Sequence, residues 1–244
     1  MKLECVWEHN GNDTLLYVEN MPGAYVRGRG LSQALDKLER EVKAWCLWAG
    51  VNVPQSFVFE IVQESSCELA VCDADSDVLF DGETKPMTEQ EYQYIKRLAM
   101  KSALDFQRLY DSILDRNIPI REVRKTFYGQ VPCTAEEMYL HTKNVNAYYF
   151  GEINVPADNV GTIVECRRRG FDALEAMPDY LQNPVIEGSY EERWSLKKML
   201  RRFLWHDRIH AKAMYRKAVA VFGRDKIQNP FFFDADNEQI VTKL

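Results

Sequence analysis

Between Thr88 and Gly223 the chain repeats one pattern four times. Apolar residues return every three or four positions, charges fill the gaps, and Pro or Gly closes each run. That spacing puts the apolar residues on one helical face, so each run must bury that face against its neighbours. The first helix is predicted over about residues 89–114, with Ile95, Leu98, Ala99, Ser102, Phe106, Leu109, Tyr110 and Ile113 on one stripe, and Asn117 and Pro119 ending it. Thr134 with Glu137, just after Pro132, has the form of a capping box. It opens a second helix to about Phe150, with Met138, His141, Val145 and Tyr148 inward and Gly151 at its end. A third helix spans about residues 160–177, aligning Ile163, Cys166, Gly170, Leu174 and Met177 ahead of Pro178. The fourth and longest covers about residues 191–222 and stops at Gly223. Four amphipathic helices with short links predict a four-helix bundle. A tail with Pro230 and Phe231-Phe232-Phe233 must pack on the bundle or cover a neighbouring subunit.

The residues before the bundle read differently. Short apolar runs at residues 3–7 and 15–18 flank Asn10-Gly11, a hairpin signal, and Pro22-Gly23 precedes a third run at Ala24-Tyr25-Val26. Leu31, Ala34, Leu35, Leu38, Val42, Trp45 and Cys46 then follow helical spacing until Gly50 and Pro54. Residues 57–62 and 68–72 are candidate strands. Asp73-Ala74-Asp75-Ser76-Asp77 invites a calcium-loop reading, but the sixth position is Val78 rather than Gly and the twelfth is Thr84 rather than Glu. A turn in which Asp and Ser bond their own backbone is the preferred reading. Lys85-Pro86 marks a boundary, giving an α+β unit over residues 1–85 and an all-α unit over residues 86–244.

Pro22-Gly23, Gly28, the Leu31, Ala34, Leu35 helix start, Gly50 and Pro54 resemble a HicB-like antitoxin domain. Gly30 stands where that pattern has a capping Thr, and Gln33 where it has an acid; Gly is a tolerated cap, so the fold survives both. The resemblance implies a small sheet with one helix and, in relatives, the capping of a small toxin ribonuclease.

Four histidines are present. His9 lies in the first turn and is expected to be solvated. His206 and His210 are four apart on the fourth helix, so both rings can reach one ion. Their stripe, Met199, Phe203, His206, His210, Ala213 and Met214, points inward, while Lys197, Lys198, Arg201, Arg208 and Lys212 occupy the opposite side. His141 sits on the inward stripe of the second helix. Three imidazoles on one core suit zinc, nickel, iron(II) or copper, with remaining positions open. An inward histidine is also what a hydrogen-bonded core residue looks like, and the residues alone leave both readings open. Candidates for a further ligand are Cys166, Asp207, Glu165, Tyr110 and Tyr148.

Thr134-Ala135-Glu136-Glu137 leading to His141, then Trp205-His206 and His210 on the last helix, resemble a DinB-like metal-binding four-helix bundle. Many members carry Gln three residues after the last ligand, where this chain has Ala213. The resemblance implies a divalent metal (zinc, nickel or iron) on His141, His206 and His210, and a homodimer. Similar bundles include thiol S-transferases that use bacillithiol and the mycothiol-dependent maleylpyruvate isomerase. The implied function is a metal-dependent thiol S-transferase or hydrolase acting on a small molecule. The alternative is a non-enzymatic binding or regulatory protein, with the bundle as sensor or dimerisation scaffold.

A formal charge of −6 argues against a general nucleic-acid binder, and Arg167-Arg168-Arg169 is read as a solvated helix face. Met1-Lys2-Leu3-Glu4-Cys5 has no apolar run behind it, so no signal peptide is expected. No stretch approaches the roughly 20 apolar residues of a membrane span. Six cysteines without a CxxC pair are expected to be reduced thiols. The expected compartment is cytoplasmic.

Overall fold

The computed structural model describes residues 1–120, 122–123, 125–126 and 129–234. It is a mixed α+β structure in which an N-terminal four-stranded sheet is followed by helices. Strands β1 (Lys2–His9) and β2 (Thr14–Val18) form an antiparallel hairpin. Asn10 tightens it, its side-chain oxygen accepting from the backbone N–H groups of Asn12 at 3.0 Å and Asp13 at 2.8 Å. Strand β3 (Tyr25–Gly28) adds antiparallel to β2, and β4 (Val58–Ser66) lies parallel on the other side of β1, giving the order β3-β2-β1-β4. The parallel β1–β4 pair needs a crossover, supplied by α1 (Leu31–Leu35) and α2 (Leu38–Ala49). The single helix expected from Leu31 is thus in two pieces, separated at Asp36 and Lys37, where the Lys37 ammonium donates to the Arg27 carbonyl at 2.8 Å. Gly50 ends α2 in the left-handed conformation, φ 72°.

The segment at residues 68–72 is not a strand: Val71–Asp73 forms a 3₁₀ turn. Its apolar residue, Val71, faces the sheet with Val78 and Phe80 and covers Val6, Leu15 and Tyr17. Every residue of β2 is therefore buried, because α2 lies on one face of the sheet and residues 71–80 with the last helix lie on the other.

Four long helices follow. They are α3 (Glu89–Asp111), α4 (Ala135–Gly151), α5 (Ile163–Glu175) and α6 (Leu196–Phe222). Reciprocal capping boxes open α3 (Thr88, Glu91), α4 (Thr134, Glu137) and α5 (Thr162, Glu165), and the Ser195 hydroxyl accepts from the Lys198 N–H to open α6. Helix α3 packs on α5 and α6, and α4 packs on the same two. Gly170 permits the α4–α5 approach: a Cβ there would lie 2.1 Å from the Phe150 ring. Two short ladders, β5 (Lys125–Thr126) with β6 (Gly129–Gln130) and β7 (Ile186–Glu187) with β8 (Arg193–Trp194), lie in the connections. The last of these takes residues expected to belong to the fourth helix.

One apolar core takes in Leu3, Leu16 and Trp45 from the sheet half with Phe106, Phe150 and Phe203 from the helices. Gly23 sits at this seam with φ 85°, and a Cβ on it would meet Leu204 of α6 at 2.7 Å. The tail closes the seam: Phe231 is fully buried and stacks on Trp48 at 5.8 Å, and Phe233 stacks on Phe231 at 5.3 Å.

The basic side of α6 is not a solvated face. Lys198, Arg201 and Arg208 are buried. Arg201 pairs with Glu83 and donates to the Val78 carbonyl, Arg208 pairs with Glu41 at 2.6 Å, and Lys198 pairs with Glu192 at 2.9 Å and donates to the Asp77 carbonyl. Arg167 of the triple-arginine run is buried as well, bidentate to Asp207 at 2.5 and 3.0 Å. Charges stay buried only when paired this closely. Among the described residues no helix is long and apolar enough to cross a membrane.

Candidate metal centre

Helix α6 brings His206 and His210 to one face, and α4, packed beside it, brings His141. Each ring offers one nitrogen such that the three nitrogens all lie within 4.8 Å of one another. Ring centroids are 4.4 Å apart for His206–His210, 4.7 Å for His141–His210 and 5.2 Å for His141–His206. The three residues expected to meet do meet.

Their environments differ. His206 is buried, and its Nδ1 has no hydrogen-bond partner among the described residues. Burial pushes its pKa well below the usual imidazole value, with the nearby His210, His141, Arg202 and Arg167 adding to the effect. His210 is half-buried and His141 is exposed along one edge. The rest of the His141 ring packs inside the cluster, and that burial lowers its pKa as well. His141 is thus at the rim of the cluster, not on the inward stripe expected of it. The buried face of α4 is instead Met138, Tyr139, Thr142, Asn146, Tyr149 and Phe150.

Three neutral imidazoles at this separation form a nitrogen donor set for a first-row divalent ion. A core histidine normally satisfies its ring N–H or lone pair with a neighbour, and Nδ1 of His206 has none, so the donors fit a metal better than a packed core. Among the described residues no carboxylate or thiol joins the cluster. The other candidates are engaged elsewhere. Asp207 holds Arg167, and Glu165 accepts from the backbone N–H and hydroxyl of Thr162. Tyr110 bonds Glu136, Tyr148 lies against Trp194 at 6.0 Å, and Cys166 donates its S–H to the Ile163 carbonyl. Among the described residues the protein therefore offers three nitrogens and no further ligand.

His9 ends β1, stacks on Trp7 at 4.3 Å and bonds Glu64 at 3.1 Å; it is partly exposed and lies outside the cluster. Two neighbours of the cluster were absent from the sequence-based set. Tyr149 places its ring edge-on to His206 at 5.8 Å, and Arg202 lies one helical turn before His206. The i, i+4, i+8 spacing of residues 202, 206 and 210 is the sequence signal for the arginine. Comparison with family models, curated proteins and solved structures returned no match.

Proposed function

We propose that this chain is a divalent-metal-binding protein whose centre is His141, His206 and His210, and that the ion serves a thiol S-transferase or hydrolase reaction on a small molecule. The observation that carries the reading is the convergence of three ring nitrogens within 4.8 Å, with the buried Nδ1 of His206 left without a partner. In this reading α3 to α6 form a DinB-like four-helix bundle, which the capping box before His141 and the paired histidines of α6 support. The zinc, nickel or iron ion would supply Lewis acidity, lowering the pKa of a thiol or water at an open position. The chain's own part is to hold three neutral imidazoles from two helices, bury His206 among them, and leave His141 exposed. No protein nucleophile is required.

The test is turnover of low-molecular-weight thiols with a panel of electrophiles, and of ester and amide substrates, by metal-loaded protein. Activity lost in His206→Ala supports the enzyme reading. Loaded protein that turns over nothing in either panel contradicts it.

A second reading, that the HicB-like half binds a protein partner, is favoured by one feature. The edge strand β4 exposes Val58, Phe59 and Val62 beside its unpaired side. Capture of a small basic ribonuclease in a pull-down supports it, and a partner-free homodimer counts against it.

A further inference from the structure

Five cations of α6 each meet a carboxylate. Lys197 meets Glu91, Lys198 meets Glu192, Arg201 meets Glu83, and Arg208 and Lys212 both meet Glu41. Arg202 breaks the series: among the described residues no carboxylate lies within ion-pairing distance of it. Its guanidinium is boxed instead by rings, 5.0 Å from the centroid of Trp205, 5.6 Å from Trp194 and 5.7 Å from Tyr149. One Nη donates to the Ser76 carbonyl at 2.5 Å. Its Nε is buried with no acceptor, and so are the indole nitrogens of Trp194 and Trp205. Glu192 and Glu8 act on this charge from further off, without a close ion pair. Three N–H donors around it have nothing to donate to, an arrangement that is unfavourable unless an acceptor arrives.

The place where this happens is specific. Residues 202, 206 and 210 follow one another by single turns of α6, so the guanidinium lies on the stripe that carries the two histidines. Tyr149 touches both, edge-on to the His206 ring and against the Arg202 guanidinium. Aromatic walls lower the local dielectric, which strengthens the pull of an unpaired cation on an anion nearby. Every other cation of the series is placed to hold the fold together, whereas this one is placed beside the candidate metal.

We propose that Arg202 is a positioning residue that selects and holds an anionic ligand at the metal centre, so that the molecule taken up beside His141, His206 and His210 is a small anion such as a carboxylate or a thiolate. The inference rests on the metal reading above and adds the charge of what the centre binds. The guanidinium compensates the ligand's negative charge, and the ligand supplies the acceptor that the buried donors lack.

The experiment uses the full chain loaded with cobalt(II), whose visible spectrum reports ligands entering the coordination sphere. Cobalt stoichiometry and thermal unfolding are measured first. Azide, an anion, and imidazole, a neutral ligand, are then titrated into wild type and Arg202→Met. The expected result is an azide dissociation constant raised about tenfold in the variant, with imidazole affinity unchanged. Equal azide affinity in both proteins overturns the inference, and so does an equal loss for azide and imidazole, which marks a merely structural role. Arg202→Gln, which keeps a donor for the Ser76 carbonyl, decides the matter by the same criteria if the Met variant does not fold. Wild type that takes up no cobalt removes the metal reading itself, and this inference with it; that outcome shows in the stoichiometry before any anion is added.

Discussion

Asp207→Asn changes one atom, yet it reaches the most deeply buried charge pair of the helices. Arg167 and Asp207 are both fully buried, joined by two hydrogen bonds of 2.5 and 3.0 Å. The guanidinium also stacks on Phe203 at 4.1 Å and donates to the Ala99 carbonyl at 3.3 Å. The amide keeps the shape of the carboxylate but removes its charge and turns one acceptor into a donor facing the guanidinium. An unpaired cation remains in a fully buried site. Removing one partner of a buried pair costs about 3–5 kcal/mol. For a chain of this length each kcal/mol corresponds to roughly 2–4 °C in Tm, so a fall of about 6–20 °C is expected. Urea denaturation followed by circular dichroism and by tryptophan fluorescence measures it. The double variant Arg167→Met with Asp207→Leu, which fills the same space with apolar atoms, should recover most of the loss. A loss below about 1 kcal/mol in Asp207→Asn, of the size seen for surface pairs, would show that the pair does not carry this weight.

Other expectations follow from single contacts. Gly170→Ala drives a methyl into the Phe150 ring and should destabilise by about 1–3 kcal/mol, whereas helix propensity alone predicts a gain, so the sign of the change decides in the same denaturation assay. Phe231→Ala should lose about 3–5 kcal/mol if the tail is part of the core over Trp48; a change within about 0.5 kcal/mol would show that it is not. In metal-free protein the folded-state pKa of His206 lies below its ordinary value of 6.5, so the unfolded chain binds the extra proton first. Its contribution to stability is complete above about pH 6.5 and is lost as pH falls toward the lowered value. The fall of stability between pH 6.5 and 5 should accordingly be shallower in His206→Gln than in wild type, and parallel curves would contradict the assignment.

Much of this arrangement was legible from local pattern. Period-3.6 spacing located α3 to α6, the Thr134–Glu137 box located the start of α4, and the four-residue interval placed His206 beside His210. What escaped depended on distant partners or on buried polar groups. The inner face of α4 carries Thr142, whose hydroxyl donates to the Met138 carbonyl, and Asn146, whose side-chain NH2 donates to the Asp158 and Cys166 carbonyls. An apolar stripe drawn without them falls on the wrong side and puts His141 inside. The basic side of α6 looked like a wet face because the acids that neutralise it, Glu83 for Arg201 and Glu41 for Arg208, lie 118 and 167 residues away in sequence. Residues 68–72 have strand composition, but the apolar side chain of Val71 is used to cap the sheet rather than extend it.

The proposed function requires that His141, His206 and His210 hold a metal. Elemental analysis by plasma mass spectrometry of untagged protein, with wild type beside His206→Ala, tests it most directly. About one zinc, nickel or iron per chain is expected in wild type and none in the variant. No metal in either protein, even after divalent ions are added, would contradict it and make the three histidines members of the core.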